Sequence, residues 1–507
     1  MYFSAFYLLY ILSSESNHII LGTIKKNFLY NLLLTISNIL FPVITFPYAS
    51  RVLGPEGIGK VQFVTNFAAY FVLLAALGIP AYGIREVVRH RADPVDLRRI
   101  VTELITINFV TSLLMFIIYA SVVIIVPSLY TDRNFYIVAV FMLLLSCCNV
   151  DWLFSGLEAF RFIAIRSLIV RGICLLLLFF MVKQRSDDIY YLGISVAGIV
   201  LNNLWNLWTA RQYLDFSTVK LINLKRHYKP LLLIFSTIAA ISVYTILDTI
   251  ILGFLVDYQS VGYYTAASRI IKITIPVVTA LGTVMIPQIA NAFKDNNLDQ
   301  VRELAKHSFD FVIVIGVPVT VGLIALAPEL IVLFSGREFR ESILPMQLFA
   351  PVILVIGFSN IWAVQILMPA SKDSYVTISV FLGLIASLIL NFSLIPHFHY
   401  IGATIANLLS ETIVMIGLIY FSQKVIKINF DFKLTFQTLA VSILFLPAVY
   451  LIRKFSSPYP MYICLLAVPV CGLIYVFLQM FVIRNPRVLN QIHALRMKWS
   501  NNKTTNV

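Results

Sequence analysis

The chain has 507 residues, of which 60% are hydrophobic and only 12% charged, and its mean hydropathy is +0.89. Soluble proteins carry about 25% charged residues, so this composition excludes a sizeable water-soluble domain. The net charge of +14 does not indicate nucleic-acid binding, because the basic residues lie mainly in short connections on one predicted side of a membrane.

Apolar runs follow one another along almost the whole chain, and each is close to the roughly twenty residues needed to cross a bilayer. They predict fourteen spans, at 27–48, 61–82, 101–127, 134–155, 160–182, 189–210, 230–255, 261–287, 308–335, 344–369, 375–396, 399–421, 434–452 and 460–483. The runs are continuously apolar, whereas the strands of a membrane barrel would alternate. We therefore predict an all-α polytopic membrane protein.

The spans divide into two halves of six and a final pair. The predicted domains are an N-terminal extension of unassigned role (1–24), a first lobe (25–211), a cytoplasmic linker (212–229), a second lobe (230–421), two further spans (422–483) and a basic cytoplasmic tail (484–507). Because six is even, both lobes enter the membrane from the same side. This predicts a parallel pseudo-repeat with a central cavity between the lobes.

The basic connections predict the orientation of the chain. The connection after the second span contains Arg85, Arg89, Arg91, Arg98 and Arg99, and the linker is also basic. Positively charged loops stay in the cytoplasm, so both termini are predicted to be cytoplasmic. The same residues are expected to contact anionic membrane lipid.

Motifs for catalysis are incomplete. Gly54–Lys60 (GPEGIGK) fits most of a phosphate-binding loop, but Val61 stands where Ser or Thr would meet magnesium. His397 and His399 have no third metal ligand nearby, and the five cysteines all lie in apolar runs. We expect no metal, no cofactor and no enzyme activity, with a membrane-embedded glycan polymerase or ligase as the alternative.

Ionisable residues inside or at the ends of spans are the strongest functional signal, because each costs about 2.5–3.5 kcal/mol on insertion scales. They are Arg51, Arg171, Asp248, Arg269, Lys272 and Glu411. Arg269 and Lys272 are three residues apart and share a helix face. One interpretation is a cationic cavity for an anionic substrate, since Arg donates in pairs to phosphate; the other is structural ion pairing, for example of Asp248 with Arg269.

A second group of charged residues lies where the fourth and fifth spans meet. Asp151, Glu158, Arg161 and Arg166 surround Trp152 in the sequence. They could form an inner gate, or the two acids could attach this loop to the two arginines.

Four stretches resemble the O-antigen and polysaccharide flippases. Asn149–Arg166 (NVDWLFSGLEAFRFIAIR) resembles their D-W-x-F-x-G-x-E-x-F-x-x-I-x-x-R signature, and Arg51–Gly59 resembles their first-loop motif. The seventh and eighth spans (Asp248–Gly253, Val261–Arg269) and the eleventh and twelfth (Asn391–Pro396, Ile401–Asn407 with Glu411) also agree, so the resemblance extends over about 25–483.

This resemblance implies the fold of the multidrug/oligosaccharidyl-lipid/polysaccharide exporter superfamily, with two lobes around a V-shaped cavity. It implies a carrier of undecaprenyl-diphosphate-linked oligosaccharide in the bacterial inner membrane, serving O-antigen or capsule assembly. A polysaccharide polymerase and glycosyltransferases are further candidate partners. Arg51 and Arg269 match motif positions, while Lys272 and Arg171 are assigned from charge and helix face. Asp248 and Glu411 are candidates for H⁺ or Na⁺ coupling. A drug/cation antiporter of the same fold is the rival interpretation.

Overall fold

The computed structural model describes residues 19–215, 225–428, 432–456 and 459–481. Its α-helices are α1 (Ile19–Ala76), α2 (Ile79–His90), α3 (Pro94–Ile125), α4 (Pro127–Thr131), α5 (Arg133–Leu144), α6 (Asp151–Gly156), α7 (Phe160–Met181), α8 (Asp188–Ala210), α9 (Lys225–Leu255), α10 (Tyr258–Lys294), α11 (Leu298–Phe311), α12 (Val317–Ala325), α13 (Ala327–Ser335), α14 (Ile343–Phe349), α15 (Val352–Asn360), α16 (Asp373–Val425), α17 (Phe432–Ile443), α18 (Phe445–Phe455) and α19 (Pro460–Phe481). Short 3₁₀ helices lie at Ser146–Cys148, Arg185–Asp187, Arg211–Tyr213 and Arg337–Ser342, and π-helical turns at Val312–Gly316 and Ile361–Leu367. Most of the predicted extension 1–24, the centre of the linker 212–229 and the tail 484–507 lie outside the described residues.

Nine helices in the described part of the chain are long and apolar enough to cross a membrane, or ten if the bent pair Arg337–Phe349 and Val352–Leu367 is one span. Two of the nine, Leu29–His90 and Asp373–Val425, each cover two predicted spans. Each contains a kink between its two spans, where the backbone leaves helical geometry at Gly54 (φ 72°) or at His399 (φ 50°). The predicted all-α polytopic fold is confirmed.

The sixth predicted span coincides with α8, which is not among these nine helices. It carries three asparagines, Asn202, Asn203 and Asn206. Asn203 donates to the carbonyl oxygen of Leu145 at 3.0 Å. Polar side chains inside a span need such partners, because the hydrocarbon offers none.

The chain separates by internal packing into two compact units, Met1–Ala266 with Val380–Ser410, and Ala267–Ser379 with Glu411–Val507. The boundaries fall within α10 and α16. The predicted lobes, 25–211 and 230–421, were inferred from the sequence repeat, and that lobe assignment stays a prediction.

One core of the first unit joins α2, α3, α6 and α7. Trp152 at the start of α6 is 3% exposed and belongs to the same core as Ile100 and Leu104 of α3. A Cβ atom on Gly83 of α2 would lie 2.5 Å from the Trp152 ring, so the indole rests directly on the α2 backbone. The Asp151–Trp152 motif is therefore held by packing as well as by charge.

In the second unit, the last two helices pack on α12 and α13. Val321 and Ala325 share a core with Phe445 and Val449 of α18 and with residues of α19. Arg453 donates to both carboxylate oxygens of Glu329 at 2.6 Å. Inside the protein each of these charges is tolerated because the other one is its partner. The ion pair therefore attaches α18 to α13.

The two ends of the linker are attached to neighbouring residues of α3. The backbone N–H of Asp215 donates to Thr102 Oγ1 at 3.0 Å. After the undescribed segment, Arg226 and His227 at the start of α9 bind Glu103, with His227 Nε2 2.8 Å from the carboxylate. Glu103 and His227 are both fully buried. Glu103 is thus an acidic centre that holds the beginning of α9.

Two helical turns in the first unit meet backbone to backbone at glycines. A Cβ atom on Gly59 would lie 1.7 Å from the carbonyl oxygen of Tyr258, and one on Gly262 would lie 2.0 Å from the carbonyl oxygen of Pro55. Neither position can accept a side chain without separating the turns. The glycine-marked turns of the two sequence halves therefore contact each other.

Replacing Gly59 or Gly262 with Ala should lower the free energy of unfolding by about 1–3 kcal/mol, the usual cost of overpacking. The measurement is thermal or denaturant unfolding of the purified protein in detergent. Gly472→Ala is the control, because no atom lies within 4 Å of a Cβ there. Equal stability of all three variants would contradict the close contact.

Glu103→Gln should destabilise the protein by about 3 kcal/mol, because it removes the buried carboxylate that Arg226 and His227 both bind. The matched control is Glu303→Gln, since Glu303 is 74% exposed and its pairing with His307 is worth little. If both variants unfold alike, Glu103 does not hold α9.

Candidate functional site

A cavity of about 480 Å³ lies within the first unit between α1, α7 and α8. Arg171, at the centre of α7, lines it. Its guanidinium donates to Ser37 Oγ at 2.7 Å and to Asn38 Oδ1, both on α1. Both partners are neutral, so they accept two hydrogen bonds from Arg171 without balancing its charge.

Two further predicted residues line the same cavity. Arg166 is 2% exposed, and it donates to Asp151 Oδ1 at 2.7 Å and to Asn202 Oδ1 at 3.0 Å. Asn206 also donates to Asp151 at 3.0 Å. The predicted pairing of Asp151 with Arg166 is present, and it joins α6, α7 and α8.

The remaining residues of the inner motif take different positions. Glu158 adopts a left-handed conformation with φ 60° between α6 and α7. Its carboxylate accepts a hydrogen bond from Arg91 Nη1 at 2.6 Å, a partner beyond the two that the sequence suggested. Arg161 is exposed, while Trp152 is buried. The motif therefore serves largely to connect α2, α6, α7 and α8.

Asp248 is the centre of a second polar cluster in the first unit. The carboxylate is 1% exposed and accepts hydrogen bonds from Tyr264 Oη at 2.6 Å, Asn391 Nδ2 at 2.8 Å and Asn407 Nδ2 at 2.7 Å. Hydrogen bonds to an ionised acceptor are among the strongest in proteins. They allow Asp248 to carry a negative charge inside an apolar helix bundle.

The Asp248 cluster also contains an acceptor without a donor. Asn391 Oδ1 is buried and has no hydrogen-bond partner among the described residues. A carboxylate beside a second oxygen suits a proton or a small hard cation. Within the described residues, no three His, Cys, Asp or Glu side chains are grouped to hold a metal, so any cation here would rely on amide and hydroxyl oxygens.

The sequence analysis selected Asp248 but not its partners. Tyr264, Asn391 and Asn407 all lie inside the stretches that resemble the flippases. Their meeting depends on the turn at His399, which brings Asn391 and Asn407 together on the two arms of α16. The sequence signal that could have identified these partners is a polar residue inside an apolar run. The same signal marks Asn202 and Asn206.

Arg51 lies in α1, one turn before the backbone break at Gly54. It is exposed, and its Nη1 donates to the carbonyl oxygen of Pro47 at 2.5 Å. Its side chain therefore lies along the helix surface.

The other predicted charges belong to the second unit. Arg269 and Lys272 lie in α10, where Arg269 is half-buried and Lys272 is exposed, and Glu411 is buried in α16. In the first unit, Arg171, Arg166 and Asp151 thus lie around one cavity. In the second unit, Arg269 and Lys272 are three residues apart on α10, and this spacing places them on one helix face.

Residues 24–293 match the family described as "Polysaccharide biosynthesis protein", and residues 234–396 match the MatE family. The chain is 25% identical over 404 residues to the "Putative O-antigen transporter" of Escherichia coli (strain K12), covering 77% of this chain and 95% of that protein. It is 30% identical over 172 residues to the "Probable flippase AglR" of Haloferax volcanii, covering 34% of this chain and 36% of that one.

The fold is similar to that of solved membrane transporters. The lipid II flippase MurJ in an inward closed conformation superposes with a TM-score of 0.72 at 14% identity, covering 90% of this chain and 99% of MurJ. An inward-facing multidrug resistance MATE family transporter of the MOP superfamily gives 0.59 at 13% identity, covering 76% and 94%. Because the family match covers more than half of its length, the chain belongs to the polysaccharide biosynthesis protein family, and it has the all-α membrane fold of the MOP superfamily.

Proposed function

We propose that the chain is a flippase that moves lipid-linked oligosaccharide units across the bacterial inner membrane. The observation that carries this proposal is the match to a relative named as an O-antigen transporter, which covers 95% of that relative. The sequence similarity to the probable flippase AglR supports it, and the fold similarity to a lipid II flippase agrees with it. The substrate is an undecaprenyl-diphosphate-linked oligosaccharide for O-antigen, capsule or exopolysaccharide assembly.

The diphosphate and any acidic sugars are attracted by cations in and beside the spans. Arg269, Lys272, Arg51 and Arg171 supply these charges. Arginine presents a planar fork of donors that fits phosphate oxygens, and lysine adds a point charge. Both act strongly where water is excluded.

Transport proceeds by alternating access, with the lobes 25–211 and 230–421 opening in turn to each side of the membrane. Polar groups along the path allow the hydrated sugar to cross without entering hydrocarbon, while the polyprenyl chain stays in lipid. Both termini are cytoplasmic, as the positive connections favour. The substrate enters from the cytoplasmic leaflet.

Return of the empty carrier is driven by binding of H⁺ or Na⁺ at Asp248, with Glu411 as a second candidate. Asp248 is buried and hydrogen-bonded by two asparagines, one of which, Asn391, has an Oδ1 without a hydrogen-bond partner in the described part of the chain. Neutralising this carboxylate removes a buried charge, which changes how strongly the helices around it are held.

A drug/cation antiporter is the second candidate function, because residues 234–396 match the MatE family. A site for cationic drugs would need acidic walls, whereas the cavity of the first unit contains two arginines and one aspartate. Increased drug sensitivity of a deletion strain with normal surface glycan would favour the antiporter.

Replacing Arg269 and Lys272 together with Ala should reduce surface display of the glycan by at least about tenfold, because two charge-assisted contacts to the substrate are lost. Display is measured with a glycan-specific antibody at matched protein levels. The control replaces two exposed lysines, Lys294 and Lys306, with Ala. Normal display in the Arg269/Lys272 variant would exclude these residues as the substrate site.

Asp248→Asn should reduce display by about tenfold, within the usual range of coupling free energies, because an amide takes up no proton and offers a cation no negative charge. Asp257→Asn is the control, since Asp257 is exposed and caps α10 through Ser260 N–H, a role that Asn can fill.

The identity of the ion follows from melting of the purified protein. Stabilisation by NaCl over KCl that Asp248→Asn abolishes would indicate Na⁺, and a pH dependence that it abolishes would indicate H⁺. Undiminished display in Asp248→Asn would rule out coupling at this residue.

A further inference from the structure

The glycine-rich stretch Gly54–Lys60 ends in a lysine that the proposed function does not use. Lys60 Nζ lies 2.6 Å from Oδ1 of Asp132, which stands between α4 and α5. The same ammonium group lies over the Phe135 ring, 4.1 Å from its centroid, and this adds a cation–π attraction. The stretch fits most of a phosphate-binding loop in sequence, but in the structure its lysine binds a carboxylate of its own chain.

Asp132 joins this lysine to the beginning of α10. Its second carboxylate oxygen, Oδ2, accepts a hydrogen bond from Tyr258 Oη at 3.0 Å. The side chains of Lys60 and Asp132 are only 19% and 20% exposed, so water competes little for either bond. Hydrogen bonds to an ionised group are also stronger than neutral ones. A single carboxylate therefore holds together α1, the start of α5 and the start of α10.

The turns beside this carboxylate meet through glycine backbone. Gly59 rests on the carbonyl oxygen of Tyr258, and Gly262 rests on that of Pro55. Interlocked side chains resist separation because they must repack, whereas bare backbone turns can part without any change of rotamer. The bonds to Asp132 are thus the strong part of this contact, and the part that has to be broken if the turns separate.

The positions of the three residues in the chain indicate what the cluster does. By the predicted topology, residues 49–60, 128–133 and 256–260 are connections on the outer side of the membrane. Lys60 and Asp132 belong to the predicted lobe 25–211, and Tyr258 belongs to the predicted lobe 230–421. In alternating access the lobes open to each side in turn, so contacts of this kind must break when the outer side opens.

We propose that Lys60, Asp132 and Tyr258 form a latch that keeps α1, α5 and α10 together at their outer side, and that release of this latch opens the protein to the outer side. Lys60 is its central cation, because it also interacts electrostatically with Asp188. Without the charge of Lys60, the carboxylates of Asp132 and Asp188 would repel each other. The latch rests on the proposed function and names the residues that hold its outer side closed.

The test is hydrogen–deuterium exchange mass spectrometry of the purified full-length protein in detergent. Lys60→Met keeps an apolar stem beside Phe135 but removes the charge. It should speed amide exchange about tenfold within 49–60, 128–133 and 256–260, because one charge-assisted hydrogen bond no longer opposes local opening. Exchange in α19 should stay unchanged. Lys60→Arg should exchange like the wild type. So should Lys183→Met, which removes an exposed cation from another predicted outer connection.

Tyr258→Phe is a second variant that keeps the proposal testable if Lys60→Met does not fold. It retains the ring that packs against Phe63 but removes the hydroxyl bound to Asp132, and it should speed exchange in the same three segments. Unchanged exchange in both variants would overturn the latch. An increase spread equally over α19 would also overturn it, because it would show a general loss of stability.

The exchange measurement contains no glycan, so it separates the latch from the proposed function. Faster exchange in the three segments, together with normal surface glycan in a deletion strain, would contradict the proposed function and leave the latch in place. Unchanged exchange together with loss of glycan in the deletion strain would contradict the latch alone.

Discussion

The absence of water inside a bilayer is the constraint on which the rest of this structure depends. Helices satisfy the backbone within each segment, but polar side chains must find partners on neighbouring helices. Asp248 accepts from three donors on α10 and α16, and Glu329 is paired with Arg453. Polar residues therefore occur in groups, and each group fixes which helices lie together.

The run lengths of apolar residues were sufficient to predict the helices, because a bilayer leaves few alternatives. The pairing of Asp151 with Arg166 was also predictable, since these residues lie in one short motif. The partners of Asp248 were not, because Asn391 and Asn407 follow it by more than 140 residues and run length carries no information on which helices meet. The contact of Glu158 with Arg91 depends on a left-handed backbone turn that a glutamate rarely adopts.

The fold alone does not distinguish a drug transporter from a glycan flippase, because both have similar architectures. The distinction lies in the side chains that interrupt the apolar helices. In the first unit these include two arginines against one aspartate around a single cavity. A surplus of guanidinium groups favours phosphate and disfavours organic cations. The sign of the buried charge is therefore a better guide to the class of substrate than the arrangement of the helices.

The attachment of both linker ends to Thr102 and Glu103 has a consequence for engineering the protein. The chain leaves α3's neighbourhood at Asp215 and returns to it at Arg226, so both ends of the undescribed segment are held by α3. Loop closure costs grow slowly with length, by about 0.6 kcal/mol for each doubling. An affinity tag or a fluorescent reporter inserted between these two ends should therefore leave the contacts of Thr102 and Glu103 in place.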